Sequence, residues 1–371
     1  LYPGQTVLVA ADSGGYLRET GWIPESKTVV PMIAVPPSHP EDQADASEDD
    51  ESLSAVARWQ TIAVHGGQVG REVVAIASLL DVEITALLDI AGRWHDAGKS
   101  LAPFQNSISG PGRPHRGDLA KAPKSAWLHP SRLYPDPPRR RRHGFRHELA
   151  STLALFAVLI RHQPDHPALL GPWRELLRLA QISAVTGNAE PQLGSSCPNA
   201  LEQEILNLNA EQFDLVAYLV CSHHGKVRMA WHASPADQQA ADPVFRLRGV
   251  RDGEILPATA LVTAAGEILE LPPGTLHLEA AAAGLNPRTG RGWTERVLGL
   301  LERHGPFALA YLEALLRAAD QRASRNPVAD PLLEADNAEH GLETRNRELA
   351  EIARGGEGSP PLGADSPESG T

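Results

Sequence analysis

The feature that most constrains this chain is a helical spacing of apolar residues, interrupted repeatedly by histidines and aspartates. From Ser52 onward, Leu53, Val56, Ala57, Ile62, Val69, Val73, Val74, Ile76 and Leu80 recur mostly at three- and four-residue steps, the mark of an amphipathic helix. The spacing predicts a second helix over about Ile84 to Trp94. Further helices are predicted near 147–162, 171–186, 199–209, 211–222, 293–303 and 306–324. Between 243 and 280 the helical pattern stops. There Ala258–Thr263 and Glu267–Leu271 flank Ala264-Ala265-Gly266, which predicts a small β-hairpin inserted in a helical domain. Residues 106–145, rich in Gly, Pro and Arg, read as a long irregular insertion.

The ends differ from this middle. Thr6–Ala10 and Thr28–Ala34 are short valine-rich runs that predict strands, separated by Gly14-Gly15. Residues 36–51 are mostly Pro, Ser, Asp and Glu, as in a linker. The tail from Asn326 is polar and ends in Gly, Ser and Pro. The expected organisation is an N-terminal extension and acidic linker over 1–51, one mainly α domain over 52–325, and a polar, disordered tail over 326–371. No internal repeat is visible.

Composition removes several classes. The longest apolar stretch, Leu153–Ile160, is far short of the roughly 20 residues that span a bilayer. No basic segment followed by an apolar one opens the chain, so a cytoplasmic location is expected. Two cysteines, Cys197 and Cys221, cannot form a disulfide framework or a four-cysteine zinc site. The net charge of −12 argues against a protein that coats nucleic acid through its overall charge, while leaving room for a local basic groove.

Seven residues stand out by context. His65 lies within the first long helix, and His95-Asp96 ends the second. His147 opens a helix, His223-His224 ends another, and Asp320 lies near the end of the last. Such positions turn side chains toward the interior of a bundle, where metal sites are built from facing helices. Imidazole and carboxylate suit divalent transition metals. Two such ions roughly 3.5–4 Å apart form the usual clamp for phosphodiester hydrolysis. Taken singly the signals are weak. The chain has 15 histidines, and a lone His65 is more often a satisfied core residue than a ligand. It is the combination, in this order and at helix ends, that points to metal. Gly98-Lys99-Ser100 imitates the end of a P-loop, but that motif needs glycine five positions before Gly98, where Arg93 stands. Lys99 is instead expected either to face a scissile phosphate, to steady the loop of the site, or to be a solvated lysine after a helix end.

The order His65, His95-Asp96, His147, His223-His224, Asp320 resembles the HD superfamily of metal-dependent phosphohydrolases. Three segments narrow the resemblance: His95-Asp96-Ala97-Gly98-Lys99 with Phe104-Gln105, Phe145-Arg146-His147-Glu148-Leu149-Ala150-Ser151, and Ser222-His223-His224-Gly225-Lys226-Val227-Arg228. These are similar to the HD nuclease domain of the type I CRISPR nuclease–helicase, over roughly residues 52–325. The resemblance implies an HD-domain helical bundle in which His65, His95, Asp96 and Asp320 hold one metal. Asp96 would bridge to a second, held by His147, His223 and His224. It implies a catalytic role for Asp96, with Lys99 beside it. It implies a cytoplasmic endonuclease and exonuclease of antiviral defence that cuts single-stranded DNA with Mn, Fe, Ni, Co or Mg, alongside a helicase region or subunit and the CRISPR surveillance complex. Ala97 departs from the larger apolar residue frequent in the family, conservatively, and no helicase motif is visible. The strand-like residues 1–35 and a first residue other than Met suit the remnant of an upstream helicase region.

The basic run Arg139–Arg142 with Arg146 precedes His147. A single strand needs a positive groove and stacking surfaces, which Arg142, Arg146 and Trp94 are expected to supply; a solvated loop is the plainer alternative. Two other functions fit less of the sequence: an HD phosphohydrolase acting on a nucleotide, and a non-catalytic recruitment module of the CRISPR complex.

Overall fold

A computed structural model of the protein describes residues 9–17, 19–30, 55–56, 58–80, 84–127, 133–136, 140–143, 145–180, 197–225, 227–233, 237 and 244–336. The chain forms two units, Leu1–Val328 and Ala329–Thr371. Within the second, residues 331–336 are helical.

The N-terminal extension contains a two-stranded hairpin, β1 (Tyr16–Leu17) and β2 (Gly21–Trp22). Of the strands expected at Thr6–Ala10 and Thr28–Ala34, residues 9–10 and 28–30 are not strand, while 6–8 and 31–34 lie outside the described residues, as do 36–51 of the expected linker. Next come β3 (Ala55–Val56) and β4 (Gln60–Thr61), so the first long helix, α1 (Ile62–Leu79), starts later than the apolar spacing predicts. The reason is local. The Thr61 side chain accepts from the Val64 backbone N–H and caps the helix there.

Helix α2 spans Thr85–Trp94, as expected, and a short α3 spans Ala102–Asn106. Strand β5 (Leu119–Pro123) is the main correction to the reading of 106–145 as irregular. It is the middle strand of a three-stranded sheet in the order β3-β5-β4, and Leu119, Ala120 and Ala122 are fully buried. Farther along, β6 (Leu133–Asp136) and β7 (Arg140–His143) form a hairpin.

Helix α4 (His147–His162) is buried at every position from His147 to Leu159, as befits the central helix of a bundle. Helices α5 (Arg174–Leu179), α6 (Ala200–Leu206) and α7 (Ala210–Ser222) follow; residues 181–186 of the expected 171–186 helix lie outside the described set. Asn199 with Glu202 and Asn209 with Gln212 form capping boxes that start α6 and α7.

The break after 243 holds more strands than one hairpin. β8 (Arg246–Leu247) pairs with β9 (Val250–Arg251), and β10 (Glu254–Leu256) pairs with β13 (Gly274–Leu276). Nested inside is the expected hairpin, β11 (Thr259–Val262) with β12 (Ile268–Leu271). Helix α8 runs from Trp293 to Arg325 with a break at Gly305 (φ 74°, ψ 160°) before Pro306, where two helices are predicted. The architecture is mainly α with only small sheets. No helix among the described residues is long and apolar enough to cross a membrane.

Candidate metal centre

Close helix packing assembles the site. Helix α2 packs against α1, α7 and α8, and α4 packs against α7 and the 97–100 turn. A Cβ at Gly66 would lie 2.7 Å from Arg93 O, and one at Gly92 would lie 3.0 Å from Gly70 N. Glycine at these positions lets α1 and α2 approach backbone to backbone, which brings His65 beside His95. At the end of α2, Arg93 is 3% exposed and anchors the helix by donating to Asp89 Oδ2 (2.9 Å), Glu204 Oε2 (2.7 Å) and Val262 O (2.9 Å). Gly98 then presses the 97–100 turn onto α4: its N–H donates to Ser151 Oγ at 2.8 Å, and a Cβ there would lie 2.3 Å from His147 O.

All seven residues picked out from the sequence meet in this interior, each at most 7% exposed. His65 Nε2 lies 2.9 Å from Asp320 Oδ1 and 3.8 Å from Asp96 Oδ2. His95 Nε2 lies 3.3 Å from Asp96 Oδ2 and 4.0 Å from Asp320 Oδ1. On the other side, His147 Nε2 lies 3.3 Å from Asp96 Oδ1 and 3.3 Å from His224 Nε2. The His95 and His223 rings stand 5.0 Å apart, edge to face.

Asp96 thus has one oxygen toward His65 and His95 and the other toward His147. Three groupings bring donor atoms within 4.8 Å of one another and are able to hold a metal ion: His65, His95 and Asp320; His147, His223 and His224; and His95, Asp96 and His223.

The buried nitrogens fit that use. His95 Nδ1 lies 2.7 Å from Gly92 O, and His223 Nδ1 lies 2.7 Å from Val220 O. Only a protonated nitrogen donates to a carbonyl, so these bonds assign the proton to Nδ1 and leave a lone pair on each Nε2. Both Nε2 atoms are buried without a hydrogen-bond partner. Orphaned buried polar atoms are rare in folded proteins, and a backbone bond that fixes the tautomer is the usual support of a metal-binding histidine.

Electrostatics keep His65, His147, His223 and His224 neutral. Burial, then the charge of Lys121, pushes His65 down to about 3. Burial, then Lys99, pushes His147 to about 4, and burial with His95 and His147 pushes His223 to about 3. His224 is likewise driven well down, by burial and then by His223. Burial raises both carboxyls, but His95, Lys99 and His147 outweigh it at Asp96, and Lys121 and His65 at Asp320, holding both well below the carboxylate range. Neutral nitrogens on these four histidines and ionised oxygens on the two aspartates are the forms that ligate.

No family model, curated protein or solved structure matches this chain.

Several positions carry information absent from the sequence pattern. Lys121, on β5, is 1% exposed with Nζ 3.1 Å from Asp320 Oδ1. Its only signal in the sequence is one charge inside the small apolar run Leu119–Pro123. Lys99 is also 1% exposed, with Nζ 2.9 Å from Asp96 Oδ2. Of the roles expected for it, contact with the loop of the site is the one these distances describe.

Two expected strand contacts sit elsewhere. Trp94 is fully buried and offers no face for a base. Arg142 is 2% exposed, and its Nη1 donates to Gly249 O (2.9 Å) and to both Glu254 carboxylate oxygens (2.8 Å each). It is a clamp inside the protein, tying β7 to Gly249 and Glu254. Arg146 is half-buried. Arg139 and Lys226 lie outside the described residues. A fourth grouping, Asp252, His277 and Glu279, has Glu279 Oε1 already engaged by Arg288 Nε at 3.0 Å.

Proposed function

We propose that this protein is a two-metal HD nuclease that hydrolyses single-stranded DNA in type I CRISPR interference. The observation that carries the proposal is the convergence of His65, His95, Asp96, His147, His223, His224 and Asp320, with orphaned Nε2 atoms on His95 and His223. His65, His95 and Asp320 would hold one divalent ion; His147, His223 and His224 would hold the other; Asp96, with an oxygen toward each group, would bridge. When bound, such ions supply Lewis acidity, acidify water and clamp the attacking and leaving oxygens.

The residues of this chain do the rest. Gly92 O and Val220 O fix the tautomers of His95 and His223, so each presents its lone pair inward. Lys99 holds Asp96 Oδ2 and Lys121 holds Asp320 Oδ1, keeping both carboxylates ionised and aimed. Burial of the whole set excludes bulk water and strengthens each interaction. Among candidate metals, Mn, Fe, Ni and Co suit five imidazoles better than Mg does, because nitrogen donors favour transition metals.

The test is cleavage of circular single-stranded DNA with manganese, beside hydrolysis of free nucleotides. The nuclease reading expects the circle to be opened and Asp96→Ala to abolish opening. Hydrolysis of nucleotides with an intact circle would replace it by a small-molecule phosphohydrolase, and no hydrolysis of either would favour a recruitment module.

A further inference from the structure

Burial marks the open side of the ligand cluster. His147 and His224 are the most exposed of the seven, at 5% and 7%, while the other five are at most 3% exposed. A polymer would therefore reach the cluster past His147 and His224. The chain leaves His224 through Gly225, whose φ of 72° suits glycine and whose N–H donates to Ser222 O at 2.6 Å. The Arg228 guanidinium lies against that glycine: a Cβ there would sit 3.0 Å from Arg228 Nη2 and 3.4 Å from its Cζ.

Two helices fix Arg228 in this place. Its Nε donates to Glu313 Oε2 at 2.8 Å, and its Nη2 lies 2.7 Å from the same oxygen. Its backbone carbonyl accepts from Trp293 Nε1 at 2.7 Å. Tyr218 donates its hydroxyl proton to the other Glu313 oxygen. Burial, then Glu313, pushes the Tyr218 phenol up, so it keeps that proton. Tyr218 stands on α7, and Trp293 and Glu313 on α8.

The pair is lopsided: the Glu313 carboxylate is buried, whereas the Arg228 side chain is half exposed. Stability explains this poorly, because a carboxylate taken out of water to meet a half-solvated partner gains little. Positioning explains it better. Guanidinium carries five N–H donors in a planar fork. Glu313 engages the Nε and Nη2 side of that fork, and Nη1 makes no hydrogen bond among the described residues. The outward edge of a guanidinium matches a phosphate, and fixing it beforehand lowers the ordering cost when the anion arrives.

We propose that Arg228, aimed by Glu313, contacts a backbone phosphate of the single strand as it passes His224. This rests on the nuclease reading and names a residue that positions the polymer. The plainer alternative is that Arg228 only neutralises Glu313. Arg228→Gln and the double variant Arg228→Gln/Glu313→Gln separate the two, because the double variant leaves no buried charge to neutralise. Binding of a labelled single-stranded oligonucleotide is measured in chelator across salt concentrations, beside melting temperature and metal content. One lost phosphate contact lowers the log–log salt slope by about 0.7. The expected result is that loss in both variants, with metal content unchanged and with a melting temperature that falls in the single variant and recovers in the double. A wild-type slope in either variant overturns the phosphate contact; in the double it would show that relieving Glu313 was enough. Wild-type protein that binds no single strand overturns the nuclease reading with it.

Discussion

Adding one methyl group at Gly98 probes the assembly of the site more sharply than removing a ligand. In Gly98→Ala the new Cβ would meet His147 O at 2.3 Å, Ser151 N at 2.6 Å and Ala150 Cβ at 2.7 Å. Two of these are backbone atoms, so no side chain can rotate away. About 1 Å of movement between the 97–100 turn and α4 is needed before the contact is ordinary. Overpacking of this kind costs about 1–3 kcal/mol. The unfolded-state gain from any Gly→Ala change is about 0.4–1 kcal/mol, so the clash wins. The displacement falls between Asp96 and His147, now 3.3 Å apart, and should loosen metal binding as well. Gly117→Ala is the control, because a Cβ there meets nothing within 4 Å. Urea midpoints and metal content of both variants give the answer. Gly98→Ala unfolding at the control's midpoint with full metal would refute the close-approach argument.

Three further outcomes follow from the geometry. The depressed folded-state values of His65 and His223 (about 3) and His147 (about 4) lie below the unfolded histidine value of about 6.5. The unfolded chain therefore binds more protons, and stability of the metal-free protein falls as pH drops from about 6.5 toward 4; a urea midpoint that stays flat over that window contradicts the neutral cluster. Arg142→Ala breaks a largely buried pair with Glu254 and should cost about 3 kcal/mol, read by the same unfolding assay; a change within about 0.5 kcal/mol, the range of an ordinary surface substitution, would return Arg142 to the surface. Lys121→Met removes the charge 3.1 Å from Asp320 and should alter manganese affinity measured by calorimetry while leaving the fold's circular dichroism intact. Unaltered affinity would mean that Lys121 does not act on Asp320.

Much of the framework was legible because helices announce themselves by period. The spacing around Ile84–Trp94 and 147–162 corresponds closely to α2 and α4, and the Gly305-Pro306 break to the kink in α8. The seven residues that the structure brings together were legible because each lies within or at the edge of a helix in an apolar setting.

What escaped was non-local pairing. Leu53, Val56 and Ala57 keep helical spacing, yet Ala55–Val56 pairs with Ala122–Pro123, far along the chain. The five residues of β5 are too short and too surrounded by Gly and Pro for a period to show, and Lys121 was hidden with them. Arg142 read as a surface charge because nothing local reveals that Glu254, 112 residues later, receives it. The glycines that let helices touch, Gly66, Gly92 and Gly98, lower helix propensity locally and disclose their purpose only once a neighbour is in place.

The central claim is that seven scattered side chains enclose two cations. Elemental analysis of protein loaded with manganese and freed of excess, beside Asp96→Ala, tests it most directly. The account predicts two ions per chain in the parent and a marked loss in the variant, because Asp96 faces both groups. Parent protein that retains no metal, or a variant that retains as much as the parent, would contradict it.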